Sequence, residues 1–272
     1  MSQSSQGPSQ RSAWQPAFKL SHFKLSIFRQ CPRRYKYHYV DGLYQEHRKL
    51  WPHLTMGQLV HYALSDFLSQ SNRDRSFPRM QAILHRRWNT QREGFKTPEQ
   101  EKEYWERALK HLRWFYDTQD VRARPFMLEA LHQVNIAPDL ALIGKVDRVD
   151  HSEDGSFHVI DYKTGRNARG GDGFQLLAYS VLLGKKFKTR VSKVSYLFLN
   201  GLGWQSIEPT DSQLKEAEEQ LRAARDEIIN EQEYPPTPSQ LCPWCDFAEI
   251  CDAFGAEVGD YDVADEPPYW EG

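Results

Sequence analysis

Long apolar runs are missing from this chain of 272 residues. The longest mainly apolar stretch, Leu176 to Gly184, falls far short of the roughly 20 residues a transmembrane helix needs. The opening residues, MSQSSQGPSQRSAWQP, lack the apolar core of a secretory signal. Cysteine is scarce: four residues are too few for a disulfide scaffold of this size. No GxxxxGK[ST] loop is present, so nothing here cradles a nucleoside triphosphate in the P-loop manner. Basic residues are scarce at one end, where residues 201–272 hold three Lys/Arg against 18 Asp/Glu. These absences exclude membrane, disulfide-stapled and P-loop classes. What remains, 39% apolar and 26% charged, is the make-up of a globular protein with a sizeable core.

The net charge of −2 hides an asymmetry. Residues 1–60 hold nine Lys/Arg and two Asp/Glu, and residues 61–200 hold 23 and 17. The first 200 residues thus carry +13 and the last 72 carry −15. A basic body of this kind suits a polyanion, although a solvated charged surface gives the same count.

Residues 1–17 are Ser/Gln-rich and are expected to be disordered. A helix is expected after Ser21, with Phe23, Ile27 and Phe28 on one side. Met56 to Ser71 carries apolar residues at helical spacing. Pro78 and Pro98 each open a further helix, to about Gln91 and Thr118. The pattern then changes to Val/Ile/Leu-rich strands over Phe126–Ile136, Leu140–Asp150 and Phe157–Asp161. Phe174–Leu183 returns to helix, Val191–Leu199 and Trp204–Ile207 read as strands, and Thr210 or Asp211 caps a helix to about Glu231. This order predicts one α/β domain over residues 18–255, with a helical insertion near residues 73–120 and an acidic tail at 256–272.

Two strands concentrate the chemistry. Gly144-Lys145-Val146-Asp147 lies in one, and Ile160-Asp161-Tyr162-Lys163-Thr164-Gly165 in the next. Asp161 and Lys163 are two apart on a strand and share a face. A two-residue turn at Asp154-Gly155 would put Asp147 opposite Tyr162. A three-residue loop, Glu153-Asp154-Gly155 with Gly155 left-handed, opposes Asp147 and Asp161 directly. Two facing acids repel unless a cation lies between them, and Mg²⁺ favours such oxygen ligands. The same register opposes Lys145 and Lys163. A surface hairpin with Asp–Lys pairs is the alternative.

Cys242, Cys245 and Cys251 form C-x2-C-x5-C, and Cys31 stands far upstream. Spacing alone leaves buried thiols, zinc and an iron–sulfur cluster all open. Cysteines at both ends would make a bound metal a clasp across the domain. Arg33, Arg34 and Lys36 alternate with Tyr35, Tyr37 and Tyr39, a mixture suited to phosphates and bases or to packing under the cysteines. Arg166 and Arg169, among Gly165, Gly170, Gly171 and Gly173, form a loop after Lys163 that suits phosphate contact or plain flexibility.

Asp147 with Asp161-x-Lys163 resembles the PD-(D/E)XK nuclease signature. Gly57-x3-His61, Gly144-x2-Asp147, Asp161-x-Lys163-Thr164-Gly165, Gln175-x3-Tyr179 and the one-plus-three cysteines together resemble its RecB-like exonuclease branch, which includes CRISPR-associated RecB-like nucleases and the AddB nuclease domain. The resemblance spans about residues 20–254. It implies a restriction-endonuclease-like central mixed sheet flanked by helices. His61, Asp147, Asp161 and the Tyr162 carbonyl would bind Mg²⁺ or Mn²⁺. Lys163 would orient water and stabilise phosphate charge, with Gln175 and Tyr179 lining the site. Cys31, Cys242, Cys245 and Cys251 would hold a structural 4Fe–4S cluster. The implied activity is a metal-dependent DNA exonuclease of repair or recombination in the cytoplasm, acting on DNA that is single-stranded or has free ends, with any unwinding left to a helicase partner. A CRISPR-adaptation nuclease with its own partners, a catalytically idle DNA-binding subunit and an iron–sulfur redox protein are the alternatives.

Overall fold

The computed structural model describes residues 17–165 and 173–254. The acidic tail and the loop residues Arg166, Arg169, Gly170 and Gly171 lie outside them, as do residues 1–16 of the N-terminal segment. The helices are His22–Gln30 (α1), Pro32–Tyr35 (α2), Tyr44–His47 (α3), Pro52–Leu68 (α4), Phe77–Gln91 (α5), Pro98–Thr118 (α6), Gly173–Phe187 (α7) and Asp211–Asn230 (α8). The strands are Phe18–Leu20 (β1), Met127–Ala137 (β2), Leu140–His151 (β3), Phe157–Lys163 (β4), Val191–Phe198 (β5) and Gly203–Ile207 (β6).

Local chemistry sets the helix starts. Ser21, Ser76, Thr97 and Thr210 each accept the backbone N–H three residues on, which satisfies a donor the helix itself leaves unpaired. Proline occupies the first turn of α4, α5 and α6, where its missing N–H costs nothing. Thr210 and Gln213 complete a capping box. Helix α4 begins at Pro52, four residues before the apolar periodicity does, because its first turn needs only the proline.

The six strands form one mixed sheet. β2 runs antiparallel along one whole edge of β3. The other edge of β3 is divided. β1 pairs with it in parallel at Leu140–Leu142, and β4 pairs with it in antiparallel from Arg148 onward. Residues 143–147 therefore face no strand on that side. β5 continues the sheet parallel to β4, and β6 closes it antiparallel to β5. β1 was not anticipated; three residues, Phe18-Lys19-Leu20, are too few to show an alternation.

The sheet is covered on both faces. On one, Leu64, Leu84, Leu112 and Phe115 of α4–α6 pack on Ile160, Tyr162 and Leu197. The helical segment near residues 73–120 thus shares a core with the sheet. On the other face, Leu176 and Leu183 of α7 pack on Val159, Val194 and Tyr196. α1 and α8 extend that layer, with Leu25 and Phe28 in one core with Leu221 and Ile228.

Candidate active site

The β3–β4 loop sets the register. Gly155 has φ +80°, a left-handed conformation that glycine adopts without strain. Ser152 donates to the Ser156 carbonyl at 2.8 Å, enclosing the three-residue loop Glu153-Asp154-Gly155. Arg148 then pairs with Ile160, so the next pair along the same register is Asp147 and Asp161. The strands separate at that point. Oδ2 of Asp147 accepts the Tyr162 N–H at 2.8 Å, taking the ladder position a backbone carbonyl would fill.

This separation lets both helical layers reach one place. From α4, His61 Nδ1 lies 3.3 Å from Asp147 Oδ2. Gly57, one turn earlier, sits where a Cβ would lie 2.8 Å from the Thr164 hydroxyl, so the glycine lets α4 approach the end of β4. From α7, Gln175 binds four groups. Its Nε2 donates to Asp161 Oδ1 at 3.4 Å and to the Tyr179 hydroxyl at 3.2 Å. Its Oε1 accepts from Lys163 Nζ at 3.1 Å and from the Tyr196 hydroxyl at 2.9 Å. Lys163 Nζ also lies 3.0 Å from Asp161 Oδ2 and 4.7 Å from the centre of the Tyr196 ring. His61 and Asp147 thus form one group and Asp161, Lys163, Gln175 and Tyr179 a second; the two adjoin, with Asp147 acting on Asp161 electrostatically, but Asp161 is not among the ligand atoms that lie within 4.8 Å of one another. The Tyr162 ring points to the other face, 5.7 Å from His61 and 6.0 Å from Phe115.

Two members of these groups were not read from the sequence. Glu129 of β2 lies 3.8 Å from His61, and Glu129, His61 and Asp147 present ligand atoms all within 4.8 Å of one another. The signal was an acid inside the apolar run Met127-Leu128-Glu129-Ala130-Leu131. The register places it beside Asp147, but its φ of 48° is a tertiary feature that periodicity does not show. Tyr196 is fully buried and has the sequence signature of a core residue. Glu129 also removes the expected clash of lysines: Lys145 pairs with Glu129 at 2.5 Å, while Lys163 turns to Asp161.

Charge is concentrated here at a cost in desolvation. Burial pushes Asp161 upward from the ordinary carboxylate range, with Asp147 adding to the effect against Lys163. Burial acts on Asp147 in the same sense, but the neighbouring His61 holds it below its usual value. Burial disfavours the charged form of His61, yet Asp147 and Glu129 raise it to about 8. Burial and Asp147 raise Glu129. Burial, with Asp161 and Asp147 nearby, raises Tyr179 well above its usual range. Glu129 Oε1 is buried without a hydrogen-bond partner, and Asp161 Oδ2 has the Lys163 ammonium at 3.0 Å as its partner. Such carboxylate oxygens suit a hard divalent cation, which takes oxygen donors and tolerates an imidazole.

The four cysteines converge at the opposite end of the chain's course. Cys31, Cys242, Cys245 and Cys251 line one pocket, together with Pro236 and Phe247. The Thr237 and Ser239 N–H groups point at the sulfurs of Cys31 and Cys242, at 3.5 and 3.2 Å. Burial pushes the Cys245 thiol up to about 11. The aromatic-basic run serves this junction. Tyr35 is buried edge-on against Phe28, Arg33 bonds Asp252 at 2.8 Å, and Arg34 lies 3.6 Å from Asp246. Of its two expected uses, the structure shows packing around the cysteines.

Comparison with known proteins agrees with this architecture. A family model described as the PD-(D/E)XK nuclease superfamily matches residues 19–252. A solved structure from Eubacterium rectale, named "Putative exonuclease", superposes with a TM-score of 0.57 at 13% identity, covering 90% of this chain and 91% of the other. The protein SSO0001 matches at 19% identity over 86% of each chain, with a TM-score of 0.43. At 13% identity the likeness to the Eubacterium rectale structure extends to the fold alone. No curated protein matches the sequence.

Proposed function

Because the chain belongs to the PD-(D/E)XK nuclease superfamily, we propose that it is a Mg²⁺- or Mn²⁺-dependent deoxyribonuclease, acting as an exonuclease in DNA repair or recombination. The observation that carries the reading is the half-buried to buried group His61, Glu129 and Asp147, whose ligand atoms lie within 4.8 Å of one another, with the Asp161–Lys163 pair on the next strand outside that group. His61, Asp147, Asp161 and the Tyr162 carbonyl would hold the cation, with Glu129 as a further donor. A cation bound there polarises a phosphoryl oxygen and lowers the pKa of its bound water.

The protein's own groups do the positioning. Gln175 fixes both Asp161 and Lys163 and is itself fixed by Tyr196. Lys163 is thereby aimed at the place where water would attack phosphorus and negative charge would develop on the phosphoryl oxygens. The partial burial of Asp161 and Lys163 beneath α7 strengthens that interaction relative to open water. DNA as substrate fits the +13 carried by the first 200 residues. The cysteine pocket would hold a structural 4Fe–4S cluster. No three of its sulfurs lie all within 4.8 Å of one another among the described residues. A four-cysteine zinc site needs sulfurs about 3.8 Å apart. Reduced thiols of this kind fit a cytoplasmic setting, with a helicase supplying any unwinding.

The test compares cleavage of end-labelled and circular DNA, with DNA affinity measured alongside, for wild type, Asp161→Ala and Lys163→Ala. Asp161→Ala should lose Mn²⁺ affinity and cleavage together. Lys163→Ala should retain Mn²⁺ binding and lose cleavage by about a hundredfold or more. Full Mn²⁺-dependent cleavage by either variant overturns the assignment, and cleavage of circles overturns the exonuclease reading.

A further inference from the structure

The divided edge of β3 leaves more than room for Asp147. Where β1 ends opposite Leu142 and β4 has yet to begin at Arg148, a cavity of about 360 Å³ opens beside the carboxylates. Gln175, Tyr179 and Gly144 line it, and Gln175 and Tyr179 also belong to the Asp161 group. Phe23 of α1 and Leu131 of β2 line it as well. They are 43% and 67% exposed, an unusual pairing of large apolar side chains in water beside a charged site.

We propose that this cavity receives the unstacked base of the nucleotide next to the phosphate that a cation bound at Asp147 and Asp161 would hold, so that the substrate is single-stranded or frayed at that point. The proposal rests on the nuclease reading for the position of the phosphate. Continuity with the carboxylates argues for the occupant, because a strand with its phosphate there places a neighbouring base within reach of Gln175 and Tyr179. The lining argues for its chemistry. An aromatic ring, an aliphatic side chain and a few polar groups are what a base face and a base edge require. The strand-free stretch of β3 adds backbone N–H and C=O groups, which suit any base and select none strongly. A base inside a duplex is stacked on both faces and engaged on its pairing edge, so it does not enter. The cavity would therefore make the enzyme selective for unpaired DNA without making it selective for sequence.

The test is a binding scan with Mn²⁺ in the Lys163→Ala background, which should keep the cation and lose cleavage by about a hundredfold or more. A fluorophore-labelled short oligodeoxynucleotide carries a single abasic residue, moved one position at a time. That background should show one position at which loss of the base weakens binding on the order of tenfold, the scale of one stacked base. Phe23→Ala and Leu131→Ala should reduce that difference to less than about twofold. Both side chains are exposed, so folding is not at stake. Equal binding at every position, an effect that survives both substitutions, or no binding at all overturns the proposal. So does a concentration-dependent dimer that Leu131→Ala dissolves, since a second copy would then cover the patch. Cleavage of DNA by wild type, with every abasic position tolerated in that background, keeps the nuclease reading and loses the pocket. Base-dependent binding in that background, with no Mn²⁺-dependent cleavage by wild type, keeps the pocket and loses the nuclease reading.

Discussion

Glu129 and His61 show how single residues prepare a cation site before any cation arrives. Three carboxylates, Glu129, Asp147 and Asp161, crowd a space with little water. The proton retained on His61, raised to about 8, supplies part of the missing positive charge. The sign follows from linkage. A histidine whose folded value lies above its usual 6.5 adds stability that is complete below 6.5 and lost as pH rises through 8. In EDTA the melting temperature should therefore fall between about pH 6.5 and 8.5. Mn²⁺ should flatten the fall, because the cation replaces the proton, and Mn²⁺ affinity should rise with pH over the same window. Melting curves with and without Mn²⁺ at several pH values check this, and a flat EDTA series contradicts it. Half-buried His38 and His158, both lowered to about 4, act in the acid range and leave that window clear. Glu129→Gln removes one acid from the cluster. It should bring the fall in the EDTA series to lower pH and weaken Mn²⁺ binding by roughly tenfold, the scale seen when metal-site partners are removed. Titration calorimetry reads that loss directly.

At the scale of elements, the close approach of α7 to β3 decides whether Gln175 and Tyr179 reach the carboxylates. Gly144 permits it, since a Cβ there would lie 3.0 Å from Leu182 and 3.2 Å from the Tyr179 ring. Gly144→Ala should push the helix outward at a cost of roughly 1–3 kcal/mol, the range for overpacking a core. Cleavage should fall further than the melting temperature suggests, because the displaced helix carries Gln175. Loss of stability with full cleavage would show that α7 tolerates the shift. Much of this geometry was legible beforehand. Of the two loop lengths the sequence allows, the three-residue one with Gly155 left-handed opposes Asp147 to Asp161, and prolines and caps mark the starts of α5, α6 and α8. What stayed hidden was tertiary in origin. The division of one β3 edge between β1 and β4 has no sequence period. Glu129 is turned inward by its backbone rather than by alternation, and Tyr196 is at once a core ring and a hydrogen-bond donor to Gln175.

At the scale of the whole molecule, the two ends of the domain are joined twice, by ion pairs and by thiols. Arg33 meets Asp252, Arg34 approaches Asp246, and the Lys49 N–H donates to Asp246 at 2.9 Å. Asp252 is largely exposed, so its pair with Arg33 is screened by water and worth under about 1 kcal/mol. The cysteine pocket is a different matter. A cluster held by Cys31 from one end and Cys242, Cys245 and Cys251 from the other, as proposed above, would exist only in the folded chain, so its binding energy would become folding energy. Arg33→Ala should therefore barely move the melting temperature of anaerobically purified protein. Cys31→Ala should lower it by many degrees and remove the iron and the broad visible absorption of a thiolate-bound cluster. Below that lowered transition the variant should still cleave DNA, because no cysteine belongs to the carboxylate cluster. Stoichiometric zinc in the wild type would replace the iron–sulfur assignment while leaving the clasp intact. Equal, small effects of the two substitutions would show instead that the ends are held by packing around Tyr35 and Phe247, with no metal contribution.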